Sequence, residues 1–383
     1  MTKATLSQVR DWLRKVPVLY AIAMFALTRK YWIGATFGKR VGLAVKAYRR
    51  CRDGMPDVVA IQPDCVCPLR CEFCQIHELK LWEHRRRRVM PLADFASIID
   101  DIAPYTTDIQ FSGGEPFIHP DITRMFAHCR ARGIYTLAAT NAVLLNDERI
   151  AQIIANPPDA MLMSYEALDA RLYEEIRKKG NYDVLVRNIR ALIEAKRKSG
   201  SHLPLITLQM VLNKRNRHQV ADYWQQVADM GADIASVKAL GVWPEGNAVH
   251  RQKMLEDYVI PMSEDPISRH DIIDGRLTYQ RREGQCPSTR TVSIGSGGEV
   301  MACWYLVVAG GGLGYVPDEP FARIWNSAKY RRLRERMLDG WAFEECSRCI
   351  GVGATGQSKR VKREEWVVEA ADKKPDAGAG DGK

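Results

Sequence analysis

Six short apolar, β-branched runs alternate with longer amphipathic ones and predict an α/β fold with a parallel sheet and helices outside it. Six such units are too few to close an eight-unit barrel, so the expectation is a partial (β/α)6 barrel or an open sheet. After about residue 245 the alternation stops and cysteines follow at metal-like spacings, which predicts a small metal-stapled C-terminal domain. With 46% hydrophobic and 27% charged residues in 383, the composition excludes a disordered chain, a collagen and a small disulfide scaffold.

The first 54 residues precede the alternation. They carry twelve Lys/Arg against only Asp11 and Asp53, a net +10, while the remaining 44 basic and 44 acidic residues cancel. Val16–Leu27 is an apolar run broken only by Pro17, flanked by Arg14, Lys15, Arg29 and Lys30 and followed by Tyr31 and Trp32. It is shorter than the roughly 20 residues that cross a bilayer. Cations and aromatics beside an apolar face suit a helix lying in a membrane interface. The plainer reading is a helical extension packed on the main domain. A nucleic-acid arm is the weaker third, since no binding motif is recognisable. Residues 1–15 are basic and polar and no small-residue cleavage site follows the apolar run. The expectation is therefore a cytoplasmic protein, peripheral at the inner membrane face if the arm meets lipid.

The predicted strands are Val58–Pro63, Asp108–Ser112, Tyr135–Thr140, Ala160–Ser164, Ile206–Leu212 and Ile234–Ala239. Helices are predicted near 91–103, 120–132, 147–155, 183–199 and 216–230, with Asn146 and Asn216 at helix starts. Residues 245–284 read as polar and irregular. Residues 291–303 read as a hairpin turning at Gly295-Ser296-Gly297-Gly298. A glycine-rich loop (310–314), a basic helix over Asn326–Leu338 and a disordered tail over 370–383 follow. The predicted organisation is an N-terminal extension (1–54), a core domain (55–245), a linker (246–284), an auxiliary domain (285–355) and a C-terminal extension (356–383).

Seven of the ten cysteines fall in two clusters. Clustered thiols in a reducing compartment bind metal or do chemistry more often than they form disulfides. Cys67, Cys71 and Cys74 have the spacing C-x3-C-x2-C directly after the first strand, at the carboxyl end of the sheet where such folds build active sites. Three thiolates are one short of the four that fill a [4Fe–4S] cluster, leaving one iron open. Alone, the spacing also admits a zinc site. Three other motifs end at strand ends: Ser112-Gly113-Gly114-Glu115-Pro116, Thr140-Asn141-Ala142, and Ser164 followed by Glu166.

This set resembles the radical S-adenosylmethionine (SAM) superfamily over about residues 57–242. The resemblance implies a TIM-like partial barrel and a catalytic [4Fe–4S] cluster held by Cys67, Cys71 and Cys74, with SAM chelated to the open iron. One electron then cleaves SAM to a 5′-deoxyadenosyl radical that takes a substrate hydrogen. It also implies an electron donor such as flavodoxin or ferredoxin. Phe73, Gly113, Gly114, Glu115, Pro116, Asn141 and Ser164 become the cofactor-binding candidates. The two glycines are expected to let backbone groups approach the SAM amino group. Ala142 departs from the family's TNG.

Cys286, Cys303, Cys346 and Cys349 are similar in spacing to a SPASM or Twitch domain. That implies one auxiliary [4Fe–4S] cluster ligated by all four, with zinc as the alternative. Cys51, Cys65 and Cys129 read as packed small hydrophobes, His119 as a helix-entry residue, and Arg85–Arg88 as a solvated face or loop, with contact to a substrate phosphate as the alternative. Trp304, Tyr305, Gln209, Asn213 and Lys238 are candidates to face the substrate. Because residues 1–54 lack a strand-rich leader-binding pattern and are basic and amphipathic, the expectation favours oxidation of a small-molecule, sugar or lipid-linked substrate, with a peptide or protein maturase as the alternative. A rival of another class is a non-catalytic zinc protein docking on membrane or nucleic acid.

Overall fold

The computed structural model describes residues 16–19, 22, 37–242 (57, 79, 81, 82 and 84 excepted), 248–338 (266, 269, 274, 275, 280–285 and 304–311 excepted), 356–361 and 366–369. Its elements in order are α1 (Phe37–Asp53), β1 (Val58–Ile61), α2 (Gln75–Glu78), α3 (Leu92–Ile102), β2 (Asp108–Phe111), α4 (Ile122–Ala131) and β3 (Tyr135–Thr140). Next come α5 (Asp147–Ala155), β4 (Ala160–Ser164), α6 (Ala170–Ile176), α7 (Tyr182–Ser199), β5 (Leu205–Leu212), α8 (Val220–Asp229), β6 (Ile234–Ala239) and α9 (Ala248–Asp257). The chain continues with β7 (His270–Ile273), β8 (Arg276–Tyr279), β9 (Thr291–Ile294), β10 (Glu299–Met301), β11 (Gly312–Tyr315), α10 (Phe321–Trp325), α11 (Ala328–Leu338), β12 (Gly356–Val361) and β13 (Trp366–Glu369).

Strands β1 to β6 are parallel and in sequence order, the arrangement that successive right-handed crossovers produce. The apolar side chains of the six strands and of the helices between them form one core, with Phe95, Phe111, Phe117 and Phe126 among its fully enclosed rings. Of the two helix starts read from the sequence, Asn146 caps α5 by accepting from the Arg149 amide. Asn216 caps no helix: its Oδ1 accepts from the Asn213 amide instead, and α8 starts at Val220. Asp169 and Asn181, which the sequence reading does not mark, accept from the Leu172 and Val184 amides. Gly200, at φ +67°, closes α7 in the left-handed conformation.

The sheet does not stop at the six units. Strand β9 adds to the free edge of β1, parallel and in the register Val58↔Thr291, and β10 and β11 continue it antiparallel. At the other edge β12 pairs antiparallel with β6, and β13 with β12. Eleven strands form one open sheet. Two expectations are corrected. The stretch read as irregular holds α9 and the β7–β8 hairpin. The C-terminal extension carries two strands of the main sheet before the expected tail, whose residues lie outside the described ones. Among the described residues no helix is long and apolar enough to cross a membrane.

The N-terminal extension packs on the main domain through one face of α1. Leu43, Ala47 and Arg50 are buried there. Lys46 Nζ donates to the carbonyls of Thr106 (3.2 Å) and Arg132 (2.7 Å), and Arg50 to Thr107 Oγ1 (3.0 Å). These partners lie just before β2 and β3, so α1 covers the amino ends of the strands.

Candidate functional site

The loop after β1 carries Cys67, Cys71 and Cys74 at the carboxyl ends of the parallel strands, and neighbours hold it at nearly every turn. Gly114 N–H donates to the Asp64 carbonyl (3.2 Å) and Glu115 N–H to the Val66 carbonyl (2.7 Å). Cys65 N–H donates to the Arg88 carbonyl at 3.0 Å. Farther on, Arg70 N–H donates to the Lys178 carbonyl (2.9 Å) and Glu72 N–H to the Ile176 carbonyl (3.1 Å), which docks the loop on the end of α6. Glu72 also pairs with Lys178.

The glycines of the second motif answer to this docking. Gly113 sits at φ +110°, and a Cβ there would meet the Gln62 side chain at 2.3 Å. A Cβ on Gly114 would lie 2.1 Å from the Val66 carbonyl oxygen. Backbone against backbone at that range admits only glycine. The expected reason, room for the SAM amino group, is thus joined by a requirement within the chain itself: the glycines let the motif touch the loop beside Cys67.

Glu115 is fully enclosed. Its carboxylate accepts from Thr140 Oγ1 (2.7 Å), the Asn141 amide (2.8 Å) and the Phe117 amide (3.1 Å). Burial pushes its pKa up against those three donors, so the group is an internal clamp between the ends of β2 and β3. The clamp places Asn141, whose Nδ2 lies 3.5 Å from Cys67 Sγ. Pro116 opens the short 3-10 turn that follows. Ala142, where the family has glycine, takes φ +60° and is tied down by Asn188 Nδ2 on its carbonyl (2.9 Å). Ser164 closes β4 in register with Gln209.

Arg177 escaped the sequence reading. It is a half-buried cation whose Nη1 lies 3.3 Å from Cys71 Sγ and whose Nη2 pairs with the buried Glu166 carboxylate. Its guanidinium stands 5.8 Å from the Phe73 ring centroid, and Phe73 meets Tyr258 edge-on at 6.3 Å. The other Glu166 oxygen accepts from the Val211 amide at 2.6 Å. Burial opposes the guanidinium charge, but Cys71 and Glu166 outweigh it and hold Arg177 protonated well above its ordinary value. The signal available in sequence was only a basic residue after a helix, 106 positions from Cys71.

The donor set fits a cluster. Burial pushes the Cys67 thiol up to about 12 and raises Cys74 as well, with Cys71 adding to both. Thiolates at these positions therefore need a bound metal centre to balance them. No three His, Cys, Asp or Glu residues among those described converge as donors to a single ion.

The auxiliary cysteines lie elsewhere. Cys286 precedes β9 and Cys303 follows β10, and the register Met301↔Ser293 brings both to one end of that hairpin. Because β9 runs parallel to β1, that end lies at the amino ends of the strands, opposite the first cysteine loop. A four-residue strand spans about 13 Å, so the two thiol groups bracket the sheet. Cys346, Cys349, Trp304 and Tyr305 lie outside the described residues. The glycine turn was legible: Gly298 sits at φ +85° with its Cα facing the Val316 carbonyl, and Glu299 closes back on the Gly297 amide (3.1 Å).

Several lesser readings are now placed. Cys65 and Cys129 are buried hydrophobes, and Cys51 is half-buried on α1. His119 is a structural residue bonded to the Met90 carbonyl (2.8 Å) and the Asp121 amide (3.1 Å). Asn213 is fully buried in its own turn, donating to the Val211 carbonyl at 3.0 Å and accepting from the Arg215 amide at 2.9 Å. The arginine run is only partly solvated. Arg85 is buried, donating to Gln62 Oε1 (2.9 Å) and Met301 Sδ (3.4 Å), while Arg86 and Arg87 pair with Asp318 and Asp94. That run joins the cysteine loop to the auxiliary hairpin.

Comparison with known proteins agrees with this layout. The family model of the radical SAM superfamily matches residues 62–223, and that of an iron–sulfur cluster-binding domain, SPASM, matches residues 286–350. The second match begins at Cys286 and takes in Cys303, Cys346 and Cys349. The chain is 25% identical to the PqqA peptide cyclase of Bradyrhizobium diazoefficiens over 77% of its own length and 79% of that protein. Streptococcus suis SuiB bound to S-adenosylmethionine shares the fold with a TM-score of 0.57 at 15% identity, over 84% of this chain and 83% of that one. SuiB bound to the precursor peptide SuiA gives 0.55 at 14%, over 86% and 80%. These matches set aside the non-catalytic zinc protein: the chain is a radical SAM enzyme with a C-terminal SPASM domain, and its cofactors are S-adenosylmethionine, a catalytic [4Fe–4S] cluster and auxiliary iron–sulfur.

Proposed function

We propose that this enzyme modifies a peptide or protein substrate by radical chemistry. The observation that carries the reading is the match to a peptide cyclase over more than three quarters of both chains, through the SAM domain and into the auxiliary one. This reverses the preference for a small-molecule, sugar or lipid-linked substrate drawn from residues 1–54. A strand-poor arm argued against a leader-binding domain there, but a substrate peptide can be held by other parts of the chain.

In this reading Cys67, Cys71 and Cys74 hold the catalytic cluster. Cys286, Cys303, Cys346 and Cys349 hold one auxiliary [4Fe–4S] cluster with no iron left open to substrate. When bound, the catalytic cluster and SAM supply the 5′-deoxyadenosyl radical that takes a hydrogen atom from the substrate. The protein's part is positioning. Glu115 and the glycines fix the loop, Asn141 and Arg177 donate toward Cys67 and Cys71, and Ser164 stands at the strand end near the SAM-binding motifs. Two partners complete the reading: a low-potential electron donor such as flavodoxin or ferredoxin, and a membrane surface met by residues 1–54.

The test is anaerobic purification and reconstitution, then incubation with SAM, dithionite and peptides encoded beside the gene. The expected result is 5′-deoxyadenosine together with a peptide that has lost two hydrogens, both absent in Cys71→Ala. SAM cleavage without change in any such peptide, but with oxidation of an added sugar or alcohol, would restore the small-molecule reading.

A further inference from the structure

We propose that the exposed face of α1 is a docking surface for an anionic lipid bilayer, and that docking there turns the catalytic cysteine loop toward the aqueous side. The inference rests on the membrane-surface part of the proposed function and adds the face, the lipid chemistry and the orientation.

Three observations on the N-terminal segment support this, the last two on α1 itself. The first is where apolar surface is exposed. Of the nine large hydrophobic side chains exposed among the described residues, seven belong to the N-terminal segment: Val16, Val18, Leu19, Ile22, Phe37, Val41 and Val45. Clustering of this kind marks an interaction site, whereas scattered exposed residues are ordinary.

The second is the shape of the patch. Phe37, Val41 and Val45 stand four residues apart and form one ridge along α1, with Phe37 73% exposed. Leu43 and Ala47, which pack on the core, lie on the opposite side of the same helix. The helix is therefore amphipathic twice: one apolar face is used inside the protein and the other is offered outward.

The third is charge. Arg49 and Arg52 continue the exposed ridge at its C-terminal end, Arg52 in an ion pair with Asp53 (2.6 Å), and the segment holding the ridge carries the whole net charge of the chain, +10. A surface that is both apolar and cationic matches the headgroup region of an anionic leaflet, where side chains such as Phe and Val enter the acyl boundary and Arg meets phosphate. A second copy of this chain would bring an equally cationic face, so charge disfavours self-association.

The orientation follows from the anchor points. Lys46 and Arg50 fasten α1 to residues just before β2 and β3. The first cysteine loop follows β1 at the other end of the same strands. Lipid under α1 leaves that loop facing water, where a soluble reductant can reach it.

The test uses the full-length reconstituted enzyme and sedimentation with vesicles of phosphatidylcholine and phosphatidylglycerol (3:1) against phosphatidylcholine alone. The expected result is binding to the anionic vesicles that weakens with salt and is near background on the neutral ones. Each basic residue near such a surface is worth about a fivefold change in affinity. Arg49→Gln with Arg52→Gln should therefore weaken binding about 25-fold, and Phe37→Ser, Val41→Ser and Val45→Ser together should abolish it. Each variant should keep the wild-type melting temperature and rate of 5′-deoxyadenosine formation with dithionite. A photo-crosslinking residue at position 41 should label lipid, and one at Lys178, beside the cysteine loop, should not. No pelleting at low salt, equal binding to neutral vesicles, retained binding in the triple variant, or a change from dimer to monomer in that variant without loss of vesicle binding would each overturn the proposal. Equal lipid labelling at position 178 would overturn the orientation. Peptide modification is scored separately, so an inactive peptide assay leaves the lipid result readable.

Discussion

The two cysteine regions solve different problems. The first loop, Gln62 to Cys74, is short in sequence but gripped by the ends of three strands and a helix, with hydrogen bonds at residues 64, 65, 66, 70 and 72. Two of its thiols have nitrogen donors from distant elements. The auxiliary pair sits instead on one hairpin added to the sheet edge, held by its own turn and by Glu299. A cluster with one open iron has only three protein ligands, so the surroundings must supply the rigidity that a fourth would give. A fully ligated site can staple distant segments through its own bonds. The difference teaches where precision is needed: around the open iron, the loop; around the closed one, the ligand count.

That contrast predicts unequal mutants. Cys71→Ala should abolish 5′-deoxyadenosine formation outright, whereas Cys303→Ala should retain SAM cleavage while losing about half the iron per chain. Product and iron assays on both proteins check it, and loss of SAM cleavage in Cys303→Ala would break the division of labour. Arg177→Gln should come next. It leaves Glu166 buried without its counter-charge, at a cost of about 3–5 kcal/mol in stability. The double variant with Glu166→Gln should recover most of that stability. In the double variant the catalytic cluster's midpoint potential should still be lower than wild type, because a positive charge near a cluster favours its reduced state. Redox titration by electron paramagnetic resonance reads this, and an unchanged potential would reduce Arg177 to a packing residue.

Gly114→Ala tests the same loop from its other side. A Cβ 2.1 Å from the Val66 carbonyl should cost about 3 kcal/mol or more and lower iron loading. The matching change Gly298→Ala should damage only the auxiliary site, since its clash is with Val316. Thermal melts with iron analysis separate the two. The smallest effect is a gain. Ala142→Gly relieves a left-handed residue and should stabilise the fold by about 1 kcal/mol, measured as a higher melting temperature.

Much of this was legible in the chain because its signals are local. Strands β3, β4 and β6 have the predicted bounds, the hairpin turns at its glycines, and the C-x3-C-x2-C loop emerges where strand and spacing say it should. What stayed hidden is pairing between distant segments. Nothing near Val58 announces that Thr291 will lie beside it, or that Gly356 will lie beside Lys238. Arg177 is polar and follows a helix, which ordinarily means solvent, and only the folded chain turns it toward Cys71. The motif glycines were found readily but for an incomplete reason, because their closest neighbour is backbone from another loop.

The placement of β9 also has a bearing on synthesis. Strand β1 is made early and acquires β2 on one side, but its other side waits for a partner whose first residue comes 230 positions after Ile61. At the ordinary pace of about 5–20 residues per second the wait is roughly 12–46 s. Throughout it, Val58–Ile61 presents an unpaired parallel edge, the kind of surface on which another nascent chain can add. A ribosome-bound chain of this enzyme therefore keeps that edge open until its second half arrives, and a gene truncated after the sixth strand would make the exposure permanent.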